Sequence, residues 1–152
     1  MRCSDLVQLC AISPSCDDRA STAYLRDRLA RFALDYRRLL RILATLPQHP
    51  RVVVNEHYDP FGAEVNCFED EGLTWPKAEV LGSRLAALNA VLRQGAETAG
   101  FTPVKQNFEG HRLCSAQSYV QGPADRALLH PTAAGSLAIA LANQKALPVD
   151  AN

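Results

Sequence analysis

The sequence predicts a three-layer α/β fold with an incomplete parallel sheet, on three observations. Long helical patterns alternate with short β-branched runs, in the order helix, strand, helix, strand, loop, helix. Only two strands are evident, and strong sheets need more. The helix faces are so apolar that they call for a wider sheet to cover. With 152 residues, 47% of them hydrophobic, the chain is long enough for a single domain (1–152) with a real core. The 16 basic residues balance 16 acidic ones, which gives no global electrostatic case for nucleic acid or a membrane surface as partner. No apolar run reaches the roughly 18 residues of a transmembrane helix.

Residues 20–47 carry Leu25, Leu29, Phe32, Tyr36, Leu39 and Leu43 at spacings of four and three, which predicts one apolar face of a long helix. Pro47 and Pro50 end it. Its other face bears Arg26, Arg28, Arg31, Arg37, Arg38 and Arg41, with Asp27 and Asp35 between them. No aromatic platform interleaves those arginines, so they read as a solvated face. The β-branched run in residues 51–55 predicts a buried parallel strand. Residues 58–74 read as a loop. Thr74 then caps a helix over 75–99, with Pro76 in its first turn, a stripe of Leu81, Leu85, Leu88 and Leu92, and Gly100 as its stop. Residues 101–107 predict a second strand and 108–130 a long loop. Pro131 opens a last helix over 131–146, whose Ala- and Leu-rich middle predicts burial on most sides.

The five cysteines, Cys3, Cys10, Cys16, Cys67 and Cys114, lack the paired C-x-x-C spacing of a zinc site. They read either as disulfides of an oxidising compartment or as thiols of a reducing one. The opening Met1-Arg2-Cys3-Ser4-Asp5 has no apolar stretch of ~7–15 residues and is no signal peptide, which predicts a cytoplasmic product if translated as given.

Among the four histidines, His130 stands out. It lies at a loop–helix junction, in Leu128-Leu129-His130-Pro131-Thr132-Ala133-Ala134-Gly135. An imidazole is the side chain best suited to take and return a proton near pH 7. The alternative is a histidine that only caps its helix. His57 ends the first strand, at the edge where α/β sheets place their sites, and is a candidate pocket residue. His111 beside Cys114 lacks a second ligand pair, so no metal is predicted.

The His-Pro-x-x-x-Gly block ending at Gly135 resembles the last block of the SGNH (GDSL-type) ester hydrolases. Phe108-Glu109-Gly110-His111-Arg112-Leu113-Cys114-Ser115 resembles their secreted actinobacterial-type lipases and esterases. Val52-Val53-Val54, Tyr58-Asp59-Pro60-Phe61, Cys67 and the Cys10/Cys16 pair match that subgroup in order. The resemblance covers residues 3 to 146. It implies a partial flavodoxin-like sheet, one of about five parallel strands in the whole fold. It also implies hydrolysis of small-molecule or lipid esters by a Ser-His dyad or triad without a cofactor, and secretion of the full-length protein. The implied bridges are Cys10–Cys16 and Cys67–Cys114, with Cys3 unpaired. His130 becomes the general base.

Two departures matter. Ala127 stands where the family's acid usually lies, so the Ala127 carbonyl is the first candidate to orient His130 and the Asp125 carboxylate the second. The sequence also has no Gly-Asp-Ser and no Gly-x-Asn-Asp block. The chain therefore reads as the C-terminal portion of such a domain, lacking the nucleophile and inactive alone. The competing expectation is a non-catalytic remnant or module, whose exposed sheet edge favours self-association.

Overall fold

The computed structural model describes residues 10, 12–62, 65–68, 70 and 72–147; Cys3 lies outside them. Helix α1 spans Arg19–Ala44, strand β1 Val53–Asn55, helix α2 Trp75–Thr98, strand β2 Thr102–Val104 and helix α3 Ala133–Ala146. A short 3-10 turn covers Asn66–Phe68. Helices α2 and α3 each pack on both strands but not on each other, so they cover opposite faces, and α1 packs on α2. The result is a partial three-layer α/β arrangement around a parallel two-stranded sheet.

Asp18 starts α1, its Oδ1 accepting the Ser21 N–H at 2.9 Å. Hydrogen bonds from Ser21, side chain and then backbone, hold the Asp18 carboxyl below its ordinary range. A carboxyl lowered in the folded state contributes stability above its unfolded pKa and loses it as pH falls through the folded one. Asp18→Ala is therefore expected to lower the melting temperature near pH 7 and to have progressively less effect in melts below about pH 3.

The inner face of α1 differs from the predicted stripe. It runs Leu25, Leu29, Ala33, Tyr36, Leu40 and Leu43, while Leu39 is 52% exposed. Both rows average 3.6 residues per turn, and the contact with α2 selects between them. Tyr36 lies on Gly95, where a Cβ would approach the ring to 2.5 Å, and its hydroxyl donates to the Leu92 carbonyl at 3.1 Å. Gly95 is the small residue that lets the two helices touch.

In the sheet, the Thr102 N–H donates to the Val52 carbonyl at 3.1 Å and the Glu56 N–H to the Val104 carbonyl at 2.9 Å. With Val54 opposite Pro103, the parallel pattern points the N–H and C=O groups of Val53 and Asn55 away from β2. Pro103 faces outward from β2 and has no N–H to offer. Among the described residues, one edge of the sheet is thus open to pairing and the other is blunted.

The main apolar cluster lies beyond the strand ends, beneath the loops. Tyr58, Phe61, Phe68, Leu73, Phe108, Leu113 and Val120 are all under 9% exposed. Tyr58 stacks on Phe108 at 4.5 Å, and Phe108 meets Tyr119 edge-on at 5.4 Å. A bridge joins Cys67 to Cys114, Cα–Cα 5.5 Å, across this cluster, and a second joins Cys10 to Cys16, Cα–Cα 4.9 Å.

Helix α3 begins at Ala133, two residues later than predicted. Thr132 is its N-cap and accepts the Gly135 N–H at 3.2 Å, while Pro131 forms an isolated antiparallel bridge with Val120. Nor is α3 buried on most sides: Leu137 is 59% and Leu141 46% exposed. No described helix is long and apolar enough to cross a membrane.

Candidate active site

His130 is presented by a clamped hairpin rather than by the helix end itself. Residues 119–121 run antiparallel to 129–132, with Leu129 N–H to Gln121 C=O at 3.0 Å, Gln121 N–H to His130 C=O at 2.8 Å and Thr132 N–H to Tyr119 C=O at 2.9 Å. The Gln121 side chain spans the same loop. Its Oε1 accepts the Ala127 N–H at 3.1 Å and its Nε2 donates to the Pro131 carbonyl at 3.0 Å. Gln121 therefore holds the backbone on both sides of His130.

Leu129 sits in the left-handed region, φ 64°, a conformation that costs a non-glycine residue about 1 kcal/mol or more. The Tyr58 hydroxyl offsets this by donating to the Leu129 carbonyl at 2.6 Å. The imidazole is exposed and makes no hydrogen bond to a described residue. The Ala127 carbonyl accepts the His130 main-chain N–H at 3.0 Å, which leaves it a second lone pair. Asp125 Oδ2 accepts the Gly122 N–H at 2.7 Å, tightening the far end of the loop.

Gly135 explains the glycine of the His-Pro-x-x-x-Gly block. A Cβ there would collide with the Tyr119 carbonyl oxygen, the acceptor of the Thr132 N–H. Gly135→Ala is expected to destabilise the chain by about 1–3 kcal/mol, read as a lower midpoint in urea, because backbone rather than a flexible side chain must move.

His57 follows β1 and is pinned from α2. Its N–H donates to Asn89 Oδ1 at 2.7 Å and its carbonyl accepts from Asn89 Nδ2 at 2.8 Å. One turn further along α2, Arg93 forks onto the buried Glu56 carboxylate, Nε to Oε1 at 2.8 Å and Nη2 to Oε2 at 2.9 Å. Those bonds raise the Arg93 pKa. The His57 ring bonds the Tyr58 carbonyl at 2.9 Å and lies against the Tyr58 ring at 4.7 Å. Arg112 ties the 59–61 loop to the 108–114 loop, donating to the Phe61 carbonyl at 3.1 Å beside Asp59 Oδ2 at 3.4 Å. His111 stacks on Tyr119 at 4.0 Å and bonds the Gln117 carbonyl.

His57 and His130 both line one groove of about 1540 Å³, together with Ala127 and the facing sides of α1 and α2; Asp125 does not line it. Ser83 is on its wall, but its hydroxyl donates to the Val80 carbonyl at 2.8 Å, a helix-internal bond that engages no base. The groove thus brings an exposed imidazole to an apolar cleft, and the one serine hydroxyl among its described lining residues is turned to its own helix. No group of three or more His, Cys, Asp or Glu among those residues is placed to hold a metal ion.

No family model matches this chain, and no curated protein does. In three dimensions it is similar to a solved extracellular lipase from Streptomyces rimosus, with a TM-score of 0.76 over 95% of this chain at 20% identity. The chain therefore shares part of the α/β fold of that protein, and the match spans 63% of the lipase's own length.

Gln121, Asn89 and Arg93 escaped sequence reasoning. Asn89 and Arg93 had one legible signal, two polar residues a helical turn apart beside the leucine stripe of α2. Gln121 had none, because its partners are backbone groups of a loop.

Proposed function

We propose that this chain is the base-bearing portion of an SGNH-type carboxylic ester hydrolase. The observation that carries this reading is His130, exposed on a double clamp and lining an apolar groove. The lipase fold supports it. The imidazole takes the proton of a serine hydroxyl as that oxygen attacks the ester carbonyl, then returns it to the departing alcohol. The Ala127 carbonyl, which already accepts the His130 main-chain N–H and keeps a second lone pair, is the first candidate to accept the other ring N–H and fix the tautomer in the whole enzyme; the Asp125 carboxylate is the second. The serine and the oxyanion donors belong to sequence that this chain does not contain, and the open edge of β1 is where a further strand of such a fold adds. The two bridges suit an oxidising, extracellular setting.

The test pairs two samples. The 152-residue chain alone is expected to turn over no p-nitrophenyl ester and to resist labelling by a fluorophosphonate. A chimera carrying the unmatched part of the Streptomyces rimosus lipase is expected to do both. A chimera that melts cooperatively yet stays inert, or turnover by the lone chain that survives His130→Ala, overturns the reading.

One observation favours a second reading, a non-catalytic module that self-associates. Val53 and Asn55 offer backbone groups along the β1 edge that pair with no described residue, and a stable, monodisperse dimer without esterase activity would support it.

A further inference from the structure

The residue before His130 holds an unfavourable backbone. Leu129 lies at φ 64°, which brings its Cβ close to its own carbonyl oxygen, a cost that glycine escapes. Two hydrogen bonds bracket it, Leu129 N–H to Gln121 C=O at 3.0 Å and His130 N–H to Ala127 C=O at 3.0 Å. Neither engages the Leu129 carbonyl. Among the described residues that oxygen takes its hydrogen bond from the Tyr58 hydroxyl, at 2.6 Å. The Leu129–His130 peptide plane sets the direction in which the His130 side chain leaves the main chain. Tyr58 thus acts, from 71 residues away in sequence, on the plane that aims the imidazole.

Tyr58 is itself held rigidly. It is buried, its ring stacks on Phe108 at 4.5 Å, and the His57 ring lies against it at 4.7 Å. One residue back, the His57 main chain is fixed to Asn89 of α2 through both its N–H and its carbonyl. The path from α2 to Leu129 therefore passes through side chains and backbone that have little freedom. A buried tyrosine hydroxyl needs an acceptor wherever it lies, and that need alone would make the contact structural. The acceptor here, though, is the carbonyl of a strained residue, and the next residue presents an exposed imidazole. Strain of this kind persists only where the surroundings over-determine it, and it gathers at sites of chemistry.

We propose that Tyr58 is a positioning residue: its hydroxyl keeps Leu129 left-handed and thereby points His130 into the groove. As a statement about catalysis this rests on the hydrolase reading; the hold on the loop does not depend on it. Without the hydroxyl, Leu129 relaxes towards negative φ and the peptide plane that follows it turns. The imidazole then swings away from the serine of the whole enzyme. A misplacement of about 1 Å at a reacting group costs on the order of 10²-fold in rate. The hydroxyl bonds main chain and not the imidazole, so its removal changes where the ring stands and leaves its protonation alone.

The experiment has two arms on one substitution, Tyr58→Phe, which removes a single oxygen and keeps the ring stack. In the 152-residue chain, amide hydrogen exchange is followed by NMR. Exchange at Leu129, His130 and Gln121, whose bonds close the strained turn, is expected to quicken about tenfold. Glu56 and Thr102, bonded within the sheet, should exchange as in the parent. In the chimeric hydrolase, kcat is expected to fall roughly tenfold to a hundredfold. KM should change less than about threefold, as for a group that acts on the transition state alone, and the pH profile of kcat should keep its midpoint. Two further backgrounds isolate the backbone preference. Leu129→Gly and Leu129→Ala both lose the leucine side chain, but only glycine is at ease with positive φ. The kcat loss from Tyr58→Phe should be several-fold smaller with glycine at that position than with alanine. Equal quickening of exchange in sheet and loop, an unchanged kcat in an active chimera, or equal losses in the two backgrounds would overturn the assignment. Selective exchange at the loop in a chain whose chimera is inert would instead support the hold on Leu129 and sink the catalytic reading.

Discussion

His130→Ala is expected to reduce ester turnover by the chimeric hydrolase by a factor on the order of 10⁴ to 10⁶, with little change in KM. The size follows from the role. A serine hydroxyl is a weak nucleophile at neutral pH until a neighbouring base removes its proton, and the described residues of this chain bring no other histidine out of a side-chain bond at the groove. His57 is the nearest rival, but its ring bonds the Tyr58 carbonyl and its backbone is locked to Asn89. His57→Ala should therefore affect KM more than kcat. A His130→Ala loss below about tenfold, in a variant with the parent's melting temperature, would show that the base lies elsewhere. Gln121→Ala separates position from chemistry. It removes the two side-chain bonds on either side of His130 without touching the ring, so kcat should fall while the pH profile keeps its shape.

Removing the Cys67–Cys114 bridge is expected to have the largest effect on stability. The two residues are 47 apart in sequence, and a closed loop of that size lowers the entropy of the unfolded chain by an amount worth about 4 kcal/mol. For a chain of this length that corresponds to a fall in melting temperature of roughly 10 °C. The double Cys67→Ser/Cys114→Ser variant measures it directly. The bridge also fastens the 66–68 turn over Phe68, Phe108 and Leu113, so thermal melts of the variant should broaden as that cluster loosens. The companion bridge at Cys10 and Cys16 closes only six residues and should matter less. Protein made in an oxidising compartment should yield about one free thiol, Cys3, under denaturing, non-reducing titration. Five would remove the bridges and with them this prediction.

The elements themselves were legible because their signals are periodic and local. Leucines at helical spacing marked α1 and α2, a β-branched run marked β1, and Thr74 and Pro76 marked a helix start. The site was legible as a position, not as a device. His130-Pro131 singles out the histidine, but Pro131 looked like a helix opener and proved to be a bridge residue, since Thr132 is the better cap. Leu39 and Leu40 are equivalent by hydropathy, and only the contact across sequence with Gly95, where a Cβ would lie 3.2 Å from Leu40 Cδ1, separates them. The exposed leucines of α3 depart from the predicted burial because composition records how apolar a helix is and not what covers it.

The missing amide at Pro103 limits how copies of this chain can assemble. Fibrillar growth by strand stacking needs a donor side and an acceptor side on every subunit, so that each newcomer exposes a fresh template. Here one flank is already capped by an imino acid. Two molecules meeting through β1 across a twofold axis would consume the one competent flank of the described sheet in each, and growth would terminate at the pair.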